Sequence, residues 1–167
     1  MPVFKIDSEG HVGGTEWADL SPFVRGYIEA MFFTNEATGI PMAEWWDEET
    51  QDDLREGRTD GVLPCDVGFS DLHPDSLAII HSDCHDFERT AAKWLSMARA
   101  RGYDRERAGN DFWYTRNSHG VGFWDRDVLD ADGVGEALTA IAQEFGEVNP
   151  WFAGHVTYGD APFVHVG

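Results

Sequence analysis

Asp111, Arg116, His119 and Asp125 lie in one stretch, Asn110 to Arg126, among five aromatic residues and the pair Gly120 and Gly122. Those residue types could support acid–base chemistry. His119 would be the general base, oriented by Asp111 or Asp125, and Arg116 would stabilise an anion. The same residues also fit a structural reading, in which Arg116–carboxylate pairing ties down a loop and the rings fill a core. No nucleophile or phosphate-binding signature accompanies them. Gly120-x-Gly122 lacks the preceding strand, third glycine and opening helix of a dinucleotide fingerprint. The structural reading is therefore preferred, and no cofactor is expected.

His81-Ser82-Asp83-Cys84-His85-Asp86 is a second candidate. Two histidines four apart on a helix can share a metal ion, but no third ligand is close and the H-E-x-x-H pattern is absent. Cys84 falls on an apolar seam, where a buried thiol is inert. Two surface histidines beside a core cysteine are expected, and no metal.

A third concentration of chemistry is electrostatic. The chain has 167 residues and a net charge of −19. Residues 1–73 hold 16 acids against 4 basic residues, residues 74–127 hold 9 against 8, and residues 128–167 hold 6 acids and no basic residue. The densest run comprises Glu44, Asp47, Glu48, Glu49, Asp52, Asp53, Glu56 and Asp60, with Trp45 and Trp46 among them. Such a run can be a solvated face that maintains solubility. It can also imitate the phosphate backbone and occupy a basic groove built for nucleic acid, with the tryptophans as anchors. Calcium or magnesium binding lacks the ordered ligand spacing it needs. Direct contact with nucleic acid or an anionic membrane is disfavoured by the sign of the charge.

The elements that position these groups follow from periodicity and capping. Ser21-Pro22 opens a helix over about 22–33. Leu77, Ile80, Cys84, Phe87, Ala91, Trp94 and Ala98 form one helical seam from Pro74 to a stop at Gly102. Asp104 caps a shorter helix to about Tyr114, and a last helix runs from about Gly133 to Phe145. Asn117 to Gly122 is a loop. Val3 to Ile6 and His11-Val12 read as strands, as do Phe152 to Tyr158 and Phe163 to Val166 around Gly159-Asp160. Residues 34–73 show no period and read as a long irregular acidic insertion that packs back through Trp45 and Trp46. The expectation is one α+β domain, 1–167, with about four helices and a small antiparallel sheet drawn from both ends of the chain. Two cysteines exclude a disulfide framework, and no leader or membrane-spanning run is visible, so a cytoplasmic protein is expected.

Asp111 to Arg126, with Leu20 to Tyr27 and Asp83 to Phe87, resembles a family of small acidic proteins encoded by bacteriophages and mobile elements. That family shows a similar opening helix, a D-C-x-D-F helix and a D-F-W-x-T-R-N-x-H-G-x-G-F-W-D-R block. The helix from Val134 to Phe145 is similar as well, whereas residues 34–73 and the C-terminal hairpin have no counterpart. The resemblance implies a setting and no reaction: an accessory gene, among which small acidic proteins inhibit DNA-binding defence systems of the host. The resulting expectation is a non-enzymatic inhibitor of a basic, nucleic-acid-binding host protein, acting through Glu44 to Asp60. The alternative is a small enzyme or ligand-binding module using Asp111, Arg116, Asn117, His119 and Asp125.

Overall fold

A computed structural model describes residues 10–34, 39–57, 63–153 and 162–167. The chain forms two compact units, one from Met1–Asp19, Phe32–Leu77 and Asn149–Gly167, the other from Leu20–Met31 and Ala78–Val148. Six α-helices and two small antiparallel two-stranded sheets lie among the described residues, which makes the class mixed α+β.

In the second unit, α1 (Pro22–Thr34) begins as expected, with the Ser21 hydroxyl accepting from the Val24 N–H at 3.2 Å. The seam from Leu77 to Ala98 is buried except at Trp94, but it serves two helices, α3 (Pro74–Thr90) and α4 (Ala92–Ala100). The break is one residue, Ala91, at φ −94° and ψ 10°. Helical hydrogen bonds persist on either side of it, Ala91 N–H to the Phe87 carbonyl and Leu95 N–H to the Ala91 carbonyl, so the apolar stripe stays in step across it. The Asp104 carboxylate then caps α5 (Arg105–Arg116), accepting from the Arg107 N–H at 2.8 Å.

Helix α5 is the centre of this unit and is buried on most sides, with Phe112 stacked on Phe87 at 4.1 Å. Gly26 on α1 and Gly109 on α5 let the two backbones approach. A Cβ at Gly26 would lie 2.0 Å from the Glu106 carbonyl oxygen, and one at Gly109 the same distance from that of Phe23. Asn117 to Gly122 is irregular, as expected. Short 3-10 turns then lead to α6 (Val134–Glu144), which buries Val134 and Leu138.

In the first unit, β1 (His11–Val12) pairs with β2 (Thr15–Glu16) through a tight turn at Gly13-Gly14, and β3 (Trp151–Ala153) pairs with β4 (Phe163–His165). The expectation of one sheet from both chain ends is corrected: among the described residues these are separate ribbons. His11-Val12 pairs forward because two glycines at positive φ permit the shortest hairpin. The proposed strand at 3–6 and the turn at 159–160 lie outside the described residues.

Four helices become six for two reasons: the break at Ala91, and α2 (Glu48–Arg55) inside the stretch read as irregular. Helix α2 has almost no apolar stripe, so periodicity could not show it. Its ends were nonetheless marked in the sequence, by Asp47 as N-cap and by Gly57, at φ 69°, just past its end.

Candidate functional site

The Asp111–Arg126 block is built around two ion pairs on neighbouring turns of α5. Asp111, 1% exposed, accepts from Arg126 through Nε at 2.8 Å and Nη2 at 2.6 Å, a two-pronged pair. The Tyr103 hydroxyl donates to the same carboxylate. Burial, reinforced by the Asp111 charge, holds the Tyr103 phenol well above its ordinary range, so it stays a donor.

Arg116, 5% exposed, uses all three guanidinium nitrogens. Nη1 donates to Asp83 Oδ2 at 2.7 Å and to the Tyr27 hydroxyl oxygen at 3.0 Å. Nε and Nη2 donate to the carbonyls of Gly146 and Phe145 at 2.9 and 3.1 Å. Those carbonyls lie just past α6, so a cation meets the negative end of that helix. The guanidinium also sits over the Phe112 and Phe145 rings.

The intervening loop is tied in by small polar groups. Thr115 Oγ1 accepts from the Phe123 N–H at 3.1 Å, and a Cβ at Gly122 would lie 2.4 Å from that oxygen. Asn117 donates to the Trp113 carbonyl at 3.0 Å and accepts from the Val148 N–H at 2.8 Å.

His119 is half-buried, its ring edge-on to Tyr114, and burial lowers its basicity. Asp125 is exposed. Among the described residues, no hydrogen bond links the His119 ring to Asp111 or Asp125. Asp111 and Arg116 each belong to a different ion pair, so the four residues of the acid–base scheme are not joined as that scheme requires. The partners that sequence reasoning missed are Arg126 and Tyr103, for Asp111, and Tyr27 and Asp83, for Arg116. In the sequence, Asp83 belongs to a separate motif.

In that motif, His81 and His85 are exposed on α3 while Cys84 is buried, and burial pushes its thiol pKa up. Among the described residues, no group of three or more His, Cys, Asp or Glu is placed to hold a metal ion. No helix of the described residues is long and apolar enough to cross a membrane.

The acidic run is organised by α2. The Asp47 carboxylate accepts from the Glu49 N–H at 3.3 Å. Glu48, Asp52 and Glu56 then recur every fourth residue, as do Glu49 and Asp53, which places them on adjoining rows of the helix. With Asp47 they line one open surface depression. Arg55 pairs with Asp52 on the exposed surface. Glu44 is exposed in a preceding 3-10 turn, and Asp60 lies outside the described residues.

Of the two tryptophans, Trp45 faces inward. Trp45 is 5% exposed and packs edge-on against Phe152 of β3, as the apolar base on which the acidic segment sits. Trp46 is half-buried and stacks on the same ring at 5.9 Å. The Gln51 amide of α2 donates to the Trp45 carbonyl, joining helix to base. Comparison with family models, with curated proteins and with solved structures finds no match to the chain.

Proposed function

We propose that this chain is an acidic binding protein whose α2 face occupies a basic, nucleic-acid-binding surface of a host protein and so excludes nucleic acid from it. The observation that carries the reading is the row of carboxylates Asp47, Glu48, Glu49, Asp52, Asp53 and Glu56 on one capped helix, seated on Trp45 and Trp46. At 1.5 Å per residue the row spans about 14 Å of helix axis, and with Arg55 subtracted it carries one net charge per about 2.7 Å. Duplex DNA carries one per about 1.7 Å of axis and a single strand one per about 3.4 Å. The row falls between them. The resemblance to proteins of phages and mobile elements supplies the setting, a host defence system, and a cytoplasmic site of action.

An enzyme built on Asp111, Arg116, His119 and Asp125 has less support, because Asp111 and Arg116 are already engaged with Arg126 and Asp83. The test is affinity capture from host lysate at low and high salt. A basic nucleic-acid-binding partner should be retained at low salt, released at high salt and displaced by nucleic acid. The variant E48Q/E49Q/D52N/D53N should lose it. Unchanged capture by that variant would remove the site.

A further inference from the structure

His73 lies where the first unit's β4 meets the start of α3, and its ring has two roles. Its Nδ1 accepts from the Asp75 backbone N–H at 3.1 Å, so the imidazole caps the first turn of the helix and that nitrogen must be unprotonated. The same ring stacks on His165 at 5.0 Å and 23° and meets Phe163 edge-on at 5.0 Å. Phe163 and His165, two apart on β4, share one face of the strand. His165 stacks in turn on Trp151, its cross-strand partner, at 5.5 Å. Two hydrogen bonds run alongside, one to backbone and one to a side chain: the His73 N–H donates to the Val164 carbonyl, and the Val166 N–H to the buried Ser76 hydroxyl, both at 2.9 Å.

We propose that His73 and His165 form a pH-sensitive latch, which holds β4 to the start of α3 while His73 is neutral and loosens when His73 is protonated. A proton on Nδ1 removes the capping acceptor. It also places a cation at the positive end of a helix and against a second imidazole. Among the described residues, the charged groups facing the pair are few. β3 carries none, β4 carries His165 itself, and α3 carries Asp75, whose carboxylate is 3.9 Å from Nδ1. Asp75 is 91% exposed, so its attraction for the new cation is largely screened by water.

Partial burial, followed by the charge of His73, lowers the basicity of His165. A histidine with a lowered folded value contributes stability above its unfolded value of about 6.5 and loses it as pH falls through the folded one. Loss of the His165 contribution and loss of the His73 Nδ1 acceptor therefore act in the same direction, both loosening the latch. The latch does not depend on what α2 binds. It does share a strand with the base of α2, since Phe152 follows Trp151 on β3.

Amide hydrogen exchange on the full chain tests this, with His73 and Val166 as reporters. Protection at both amides, corrected for intrinsic exchange, should fall about tenfold or more between about pH 7.5 and pH 5.5. In His73→Asn, whose amide oxygen can cap without titrating, the fall should vanish. In His165→Phe, which keeps a ring in the stack, it should shrink. Flat protection in the wild type, or an undiminished fall in His73→Asn, would overturn the latch. Should neither variant fold, the wild type decides: the fall must track the NMR titration of the His73 ring, and a fall at another pH overturns the proposal.

Discussion

Arg116 of α5 meets Asp83 of α3 at 2.7 Å, and this ion pair unites two stretches of sequence that look like independent motifs. Arg116 is 4% exposed at its side chain and Asp83 30%, so the charge on the arginine depends on its partners. Removing one partner of a buried pair costs about 3–5 kcal/mol, because the other charge stays buried and unpaired. Arg116→Met should lower unfolding stability by an amount in that range, measured by urea denaturation. Asp83→Asn should cost less, because the Tyr27 hydroxyl and the Gly146 and Phe145 carbonyls still receive the guanidinium. Equal losses in the two variants would contradict this division of roles.

The α1–α5 approach gives a second prediction, opposite in sign to helix propensity. Alanine normally stabilises a helix by about 1 kcal/mol over glycine. At Gly109 the added Cβ would meet the Phe23 carbonyl oxygen at 2.0 Å, which no side-chain movement can relieve. Gly109→Ala should therefore destabilise the second unit by about 1–3 kcal/mol or more. Gly120 has nothing within 4 Å of a built Cβ, and Gly120→Ala should stay within about 0.5 kcal/mol of wild type. Thermal unfolding of the two variants side by side distinguishes packing from a general intolerance of the block to substitution.

What could be read in the sequence tracks the kind of signal each element carries. α1 and α6 show themselves through periodic apolar residues and end signals, because burial of one face is what makes them helices, whereas α5, buried on most sides, is marked by its Asp104 cap. α2 has no such period, since its stripe is replaced by carboxylates and only Asp47 and Gly57 mark its ends. The ion pair of Arg116 is half legible: pairing with a carboxylate is one reading of the sequence, but Asp83 comes from another segment that only the fold brings near, and nothing local marks Arg126 and Tyr103 as the partners of Asp111. The capping role of His73 was out of reach, because histidine is not among the residues whose presence signals an N-cap.

Glu29 on α1 gives a prediction about pH. Burial, and next the charge of Glu106, raise its carboxyl above the ordinary range, with Arg25 opposing. A carboxyl raised in the folded state binds more protons there than in the unfolded chain. Its contribution is therefore fully present below its unfolded value of about 4.3 and is lost as pH rises through the folded one. Glu29→Gln should thus stabilise the protein at neutral pH, and the gain should shrink as pH falls toward about 4.5. Urea midpoints of wild type and variant across that interval measure it. A gain independent of pH would assign the effect to packing instead.

On α2, fold stability and binding should pull in opposite directions. The like-charge pairs Glu48–Asp52, Asp52–Glu56 and Glu49–Asp53 stand four apart, and each destabilises an exposed helix by about 0.2–0.5 kcal/mol. Asp52→Lys loses the surface pair with Arg55, worth little when both groups are exposed, and places an amine four residues after Glu48 and four before Glu56. The variant should be more stable than wild type by about 0.5–1 kcal/mol at low salt. At about 1 M salt, where the Debye length is near 3 Å, the gain should largely disappear. If the row serves only solubility, that gain comes with no other consequence. If it occupies a basic groove, the same substitution weakens capture of the partner while strengthening the fold. Urea unfolding and affinity capture on one variant therefore separate a solvated face from a binding face: a more stable protein that captures as well as wild type would leave the acidic row without the proposed role.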